Sequence, residues 1–345
     1  MNYYNGGYLF SLDAFIAMTV GNRSTGKSFY VKKQCIARFL KYGEQFIYMR
    51  RRELDIRMVC KQWFSDIGNK FPEYYIEHKN NTFYLCRDYI DSAGETQTDR
   101  QACGYTTYLE GITRLKSVPR ESVTTIFFDE FLPDNNVYLH REDPFYEPEM
   151  LMNLYLSVAR GYKQVIRPNV RIICVSNNIS MFNPYFTYFN VDIVHKDKYF
   201  KNGIYAEKWI NYDVVKAMEE TQVGAFLSNT RYGKHAIYNE SLKDIETNIA
   251  KPPKCVYPLY CVRFHQWYTF FEGADGNVYI KASNDKTMKR RFKLLDDPDV
   301  EGVPWFKGEL VKSLMKMADK ERIYYDSMAT KSVFGGIFNP KGVII

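Results

Sequence analysis

Short apolar runs alternate with longer, half-polar stretches along the first 190 positions of this chain. "AFIAMTV" (Ala14 to Val20), "QFIYMRR" (Gln45 to Arg51), "VTTIFFDEF" (Val123 to Phe131) and "VRIICVSNN" (Val170 to Asn178) have the length and continuity of strands buried on both faces. Between the first two, "SFYVKKQCIARFLKYG" places Phe29, Cys35 or Ile36, and Phe39 or Leu40 at helical spacing and stops at Gly43. A second helix is predicted over Leu54 to Phe71. "TFYLC" (Thr82 to Cys86) and "YTTYLE" (Tyr105 to Glu110) read as added strands. Such alternation predicts an α/β domain on a mainly parallel sheet, whose ligands sit at the carboxyl ends of the strands.

The texture changes after about residue 208. Residues 209–250 are polar and net acidic, with helical pieces, and "KPPK" (Lys251 to Lys254) interrupts any helix. From there "CVYPLYCV", "WYTFFEG" and "NVYIKAS" read as strands, with a hairpin turn at "EGADGN". "ELVKSLMKMADKERIYYDSM" then reads as a helix. The expected division is an ATPase-type domain over 1–208, a linker over 209–250 and a small α+β domain over 251–345. A length of 345 residues suits two cores better than one.

Composition narrows the class. The chain is 46% hydrophobic, 25% charged and 17% aromatic, with no apolar run long enough to span a bilayer and no signal-peptide pattern at its start. The expectation is therefore a globular protein with no membrane partner. Seven cysteines form no C-x-x-C pair and lie among apolar neighbours, which suits reduced thiols in a cytoplasm better than disulfides or zinc. A net charge of +7 permits a polyanionic partner without requiring one.

The chemistry begins at "GNRSTGKS" (Gly21 to Ser28), which fits G-x-x-x-x-G-K-[ST] between a strand and a helix. Gly21 and Gly26 let the backbone turn so that successive amides, with Arg23, Ser24 and Thr25 between them, face one concavity for phosphate oxygens. Lys27 reaches the β- and γ-phosphates in such loops, and the Ser28 hydroxyl joins the Mg²⁺ shell. The third strand delivers Asp129 and Glu130 to its end, as a metal partner and a base for the attacking water. Ser176 and Asn177 end the fourth strand, where a polar side chain can touch the γ-phosphate or the water. No N-K-x-D segment to read guanine is present, which favours ATP. Candidate cations to offset transition-state charge are Arg23, Arg50 to Arg52, Lys116 and Arg160, with no local signal to choose among them.

Together "GNRSTGKS", "FLKYGEQFIYMRRR", "TTIFFDEF", "LMNLYLSVAR" and "VSNNISMFNPYFTYFN" resemble the DNA-packaging (encapsidation) ATPases of small tailed bacteriophages, in order through most of the first 190 residues. "YGEQFIYMRR" and "NPYF" are more specific than the phosphate loop. The resemblance implies a P-loop ATPase of the additional-strand, catalytic-glutamate class, acting as a ring of five subunits at the portal vertex of an empty capsid. It implies ATP and Mg²⁺ as cofactors, double-stranded DNA and the portal (connector) as partners, and in some members a structural RNA on the capsid. The expected place of action is the cytoplasm of the infected bacterial host, with transient residence on the capsid. Carried to matching positions, Lys27 and Ser28 are the phosphate and metal contacts, Asp129 the metal partner and Glu130 the water activator. Arg160 becomes the leading finger inserted into a neighbouring subunit's site, with Lys116 its companion.

The resemblance also implies a carboxyl-terminal domain related to ribonuclease H-like nucleases that has lost its cutting site. The residues agree in one respect: a two-metal nuclease needs a carboxylate on its first strand, and "CVYPLYCVRF" has none. From Lys251 onward sixteen lysines and arginines stand against eleven acids, and "KTMKRRFK" (Lys286 to Lys293) concentrates five of the positive charges. Such a patch suits phosphate backbones met without sequence preference. The expected function is an ATP-driven motor moving duplex DNA into a preformed capsid. The alternatives are another translocase or helicase on the same core, a nucleotide-dependent scaffold, and a nuclease-bearing terminase.

Overall fold

The computed structural model describes residues 3–115, 121–133, 137–140, 142–160, 166–177, 180, 182–191, 193, 197–228, 230 and 248–338. In chain order its strands are β1 (Ile16–Gly21), β2 (Gln45–Arg50), β3 (Tyr75–Lys79), β4 (Thr82–Ile90), β5 (Thr96–Tyr108), β6 (Val123–Asp129) and β7 (Arg171–Asn177), then β8 (Lys198–Lys201), β9 (Ile204–Trp209), β10 (Val256–Phe264), β11 (Gln266–Gly273), β12 (Val278–Ala282), β13 (Arg291–Lys293) and β14 (Ile323–Tyr325). The helices are α1 (Lys27–Tyr42), α2 (Glu53–Cys60), α3 (Tyr146–Ala159), α4 (Pro184–Tyr188), α5 (Tyr212–Glu219), α6 (Gln222–Leu227), α7 (Glu309–Ala318) and α8 (Met328–Phe338). None of them is long and apolar enough to cross a membrane.

Two compact units emerge, and their segments interleave. The first comprises Met1–Leu132, Glu149–Asn178 and Asp192–Glu240; the second comprises Pro133–Pro148, Ile179–Val191 and Ser241–Ile345. The sequence suggested contiguous domains, whereas the stretches around Phe145 and Tyr188 pack into the core of the second unit, Phe145 against Tyr188 and Phe264. Their apolar side chains find partners far along the chain, which a local pattern does not encode.

The first unit is a mixed α/β fold on a nine-stranded sheet of order β3-β4-β5-β2-β6-β7-β1-β9-β8. The run from β5 to β9 is parallel throughout, and antiparallel pairs occur at the two edges. The four expected core strands are β1, β2, β6 and β7, with β1 and β6 buried at every position. The α1 helix runs to Tyr42, and Gly43 follows at φ 69°, the left-handed cap that glycine adopts without cost. Phe46, Tyr48, Trp63 and Phe83 form a ring cluster beside the sheet, with Phe46 stacked on Trp63 at 5.1 Å. Such ring pairs add about 1 kcal/mol each beyond the area they bury.

Several expectations need correction here. The helix predicted over Leu54 to Phe71 ends at Cys60, and turns plus a short 3₁₀ segment (Gly68–Lys70) follow. The added strands are longer than "TFYLC" and "YTTYLE", because β4 and β5 extend outward as a hairpin whose outer residues are exposed and mostly polar. Strands of that kind carry no apolar run to detect. Strands β8 and β9 were missed for a related reason: β9 carries a charged residue, Glu207, at its buried centre.

The second unit holds a five-stranded sheet of order β13-β10-β11-β12-β14 with α7 and α8. The expected hairpin joins β11 to β12, and Gly276 supplies a left-handed turn residue at φ 70°. The single late helix is instead three elements: α7 stops at Ala318, Glu321 turns at φ 57°, and β14 and α8 follow.

Candidate nucleotide-binding site

Three parallel strands and one helix assemble the site in the first unit. Gly21 closes β1, in register with Asn177 of β7 on one side and Trp209 of β9 on the other. A methyl group on Gly21 would stand 2.1 Å from the Trp209 carbonyl oxygen, so this position admits only glycine. The loop then turns through Ser24 (φ 59°) and Gly26 (φ 88°) into the first residue of α1. Left-handed backbone at two of six consecutive residues is how successive amides come to face one concavity.

Lys27 is 6% exposed. Its Nζ donates to the Asn22 carbonyl (2.7 Å) and to Thr25 Oγ1 (3.1 Å), while Thr25 Oγ1 donates to the same carbonyl at 3.1 Å. Burial pushes the Lys27 ammonium down to about 7; Asp129 and Glu207 oppose that shift and Arg23 reinforces it. A buried lysine with neutral partners is an ammonium lacking its counter-charge, the condition a polyphosphate relieves. Asn22 is fixed in turn, since its Oδ1 accepts from the Asn211 amide at 3.1 Å.

Ser28 Oγ donates to Asp129 Oδ1 at 2.7 Å, joining the start of α1 to the end of β6. The other carboxylate oxygen takes the Tyr48 hydroxyl (3.0 Å) and Arg50 Nη2 (3.2 Å). Arg50 Nη1 pairs with Glu130, and Arg50 Nε donates to the Tyr48 hydroxyl at 2.8 Å. Burial alone would lower the Arg50 guanidinium, but Asp129, Tyr48 and Glu130 together hold it above its usual value. The Tyr48 phenol is raised by burial first and by Asp129 second. Among the described residues, Ser28, Tyr48 and Arg50 supply every side-chain bond to the two acids.

Glu130 sits at φ 56°, a left-handed conformation that costs a non-glycine residue about 1–2 kcal/mol. Its amide donates to the Val175 carbonyl at 2.7 Å, and Arg51 donates to the carbonyls of Glu130 and Phe131. The strand therefore ends abruptly at Asp129, which is 3% exposed, and the Glu130 side chain emerges 59% exposed. Two adjacent carboxylates thus occupy different environments, one buried against a hydroxyl and one reaching toward solvent.

The site brings together Gly21, Ser24, Thr25, Gly26, Lys27, Ser28, Asp129 and Glu130, with Arg23 close enough to act on the Lys27 charge. Asn177 lies beside Gly21 on the neighbouring strand. Ser176 is spent elsewhere, exchanging hydrogen bonds with the Leu132 backbone at 3.1 and 3.3 Å. Arg160 stands exposed just past α3 and makes none of the bonds to the two acids. Lys116 lies outside the described residues. Sequence reasoning placed Arg50 only among several interchangeable cations and passed over Tyr48. The signal was available: the two alternate along β2, so they share one face, and β2 is adjacent to the strand that carries Asp129.

A hydroxyl and a carboxylate meeting at the end of a phosphate-type loop are the hard oxygen donors that Mg²⁺ takes, so the residues present fit that ion. Residues 1–308 match the family model described as podovirus DNA encapsidation protein (Gp16). The DNA packaging protein of Bacillus phage phi29 is 29% identical over 303 residues, spanning 86% of this chain and 83% of that protein. The DNA packaging protein of Bacillus phage B103 is 29% identical over 301 residues, covering 86% of each. A chain of the bacteriophage Phi-29 viral genome packaging motor assembly superposes at a TM-score of 0.61, with 25% identity and 98% of both chains covered. The Phi-28 gp11 DNA packaging motor shares the fold at a TM-score of 0.64, with 16% identity and 99% of both covered. A family match across nine-tenths of the length, a range that includes the phosphate loop and the acid pair, makes this chain a member of the podovirus DNA encapsidation protein family.

Proposed function

We propose that the protein is an ATP-hydrolysing subunit of a ring that moves double-stranded DNA through a capsid portal into a preformed shell. The observation that carries this reading is the meeting of Ser28 and Asp129 with Glu130 beside them. Lys27 and the loop amides hold the triphosphate. Ser28 and Asp129 would hold Mg²⁺, which neutralises charge on the phosphates when bound. Glu130 orients the attacking water and accepts its proton, and Arg23 adds positive charge at the loop. Asn177, on the strand next to Gly21, reports on the γ-phosphate. Arg160 is exposed, as a finger reaching a neighbouring subunit must be, and Lys116 is its companion.

The ring we propose has five members, formed in the cytoplasm of the infected host and resident on the empty capsid only during filling. The ATPase residues all fall within 1–208 and belong to the first unit, 251–345 of the second unit carry the nucleic-acid or capsid contacts, and 209–250 run between them along the chain, although 133–148 and 179–191 pack with the second unit. The carboxyl-terminal part is a ribonuclease H-like relic without nuclease activity, a reading supported by the lack of any carboxylate along β10. Exposed Lys286, Lys289 and Arg290 suit a phosphate backbone, whether of duplex DNA or of a structural RNA on the capsid. Sequence-blind contacts are what a packaging motor needs, because it must move whatever sequence arrives.

The test is packaging with purified empty capsids. DNA should become nuclease-protected only with ATP, and Lys27→Ala should abolish protection. An active ATPase that protects no DNA would sink the packaging claim.

A further inference from the structure

Glu207 is a fully buried carboxylate on β9, the strand between β1 and the edge strand β8, in register with Thr19 of β1. No described cation makes an ion pair with it; hydroxyls surround it. Its Oε1 accepts from Tyr4 (2.5 Å) and Thr19 (3.1 Å), and its Oε2 accepts from Tyr205 (2.9 Å) and from Tyr8. Four donors come close to saturating a carboxylate's acceptor sites. A buried charge is costly even so, and an apolar side chain would fill the same space more cheaply. The arrangement needs a reason beyond packing.

The donors supply that reason. Tyr4 and Tyr8 belong to one short amino-terminal segment, and Tyr4 also reaches the phosphate loop. Its amide donates to the Thr25 carbonyl at 3.0 Å, and the neighbouring Tyr3 ring lies against Gly26. Thr25 in turn holds Lys27. A continuous chain therefore runs from Glu207 through the Tyr4 phenol and backbone to Thr25 and Lys27. Edge-on contacts of Tyr4 with Tyr30 (5.9 Å) and Trp209 (5.2 Å) leave its ring one orientation.

We propose that Glu207 is a positioning residue for the phosphate loop, acting through an amino-terminal clasp made of Tyr4 and Tyr8. The proposal rests on the nucleotide-binding reading above. The clasp holds the loop in its phosphate-accepting shape before ATP arrives, so loosening it raises the cost of binding and leaves the chemical step nearly intact.

The test measures Mg-ATP hydrolysis and thermal melting for the full-length wild type, Glu207→Gln, Tyr4→Phe, Tyr8→Phe and the double variant Tyr4→Phe/Glu207→Gln. Weakening one hydrogen bond to a charged group should raise KM about tenfold while kcat stays within about twofold. Because the two groups act in series, the double variant should be no worse than Glu207→Gln alone. Unchanged KM in the variants, or a fall in kcat and melting temperature at constant KM, overturns the clasp and leaves Glu207 a structural group. Should Glu207→Gln fail to fold, the Tyr4→Phe and Tyr8→Phe split decides by the same criteria. Wild-type protein that binds no Mg-ATP, alongside an indistinguishable Lys27→Ala control, would overturn the nucleotide reading itself and the clasp with it.

Discussion

The hydroxyl of Ser28 donates to Asp129 across 2.7 Å, although one hundred residues separate them in sequence. The contact joins the first turn of α1 to the last residue of β6, and everything proposed for the site is arranged around it. Removing the Ser28 hydroxyl in Ser28→Ala should raise the Mg²⁺ concentration for half-maximal ATPase activity. It should also lower kcat/KM by about tenfold to a hundredfold, the scale of a lost metal contact. Titration of activity against Mg²⁺ measures both, and an unaltered Mg²⁺ dependence would count against the metal role.

Glu130 and Lys27 should separate chemistry from binding. Glu130→Gln retains the shape and loses the base, so ATP binding persists while turnover falls by at least about a hundredfold. Lys27→Ala loses binding itself. Fluorescent-nucleotide titration beside a phosphate-release assay distinguishes the two, and a Glu130→Gln protein with normal turnover would assign the base elsewhere.

Arg50 serves both acids at once. Arg50→Ala leaves the buried Asp129 carboxylate without its cation and should destabilise the protein by about 3 kcal/mol, since breaking a buried pair strands a charge. The Glu130 arm contributes little to that loss, because its carboxylate is largely solvated. Arg50→Lys restores the charge without the two-carboxylate fork and should recover only part of the stability. Chemical denaturation of the three proteins reads this directly.

The buried Lys27 predicts proton uptake. Its ammonium is pushed down to about 7, so at pH 8 roughly nine-tenths of the free protein holds it neutral. A triphosphate restores the charge. Binding at pH 8 should therefore take up nearly one proton per ATP, and binding at pH 6 almost none. Calorimetry in two buffers of different ionisation enthalpy counts those protons. The same shift makes the unfolded chain hold more protons than the folded one between about pH 7 and 10.5, so this lysine's contribution to nucleotide-free stability improves as pH rises through that window.

Arg160 should act between subunits. Arg160→Ala is expected to bind ATP normally and to lose about 10³-fold or more in turnover, the scale of a finger residue. In mixed rings, an Arg160→Ala subunit beside a Glu130→Gln subunit should regain partial activity at the interface where an intact arginine meets an intact base. A full loss seen equally in isolated monomers would place its role within one subunit.

Much of the site was legible because its parts are local. A loop of fixed spacing and an acid pair ending an apolar run announce themselves within a few residues, and Lys27, Ser28, Asp129 and Glu130 all fall inside such signatures. Tyr48, Arg50 and Glu207 did not, because their roles depend on which strands become neighbours. An arginine after a strand is ordinarily a surface charge; here β2 lies beside β6, and the same arginine meets two carboxylates. Glu207 interrupts the apolar pattern and so hid β9, when it is the approach of β1 and of the amino-terminal segment to β9 that lets it gather four hydroxyls.

The amino-acid sequence by itself determined the parallel α/β core, the phosphate loop and the two acids at the strand end, because strand burial and loop glycines are properties of contiguous residues. The tertiary structure alone decided the strand order, the capture of residues 133–148 and 179–191 by the second unit, and the partners of Arg50 and Glu207. Those choices are made by side chains from about eighty to two hundred positions apart competing to bury the same surface, and no short window of sequence contains both competitors.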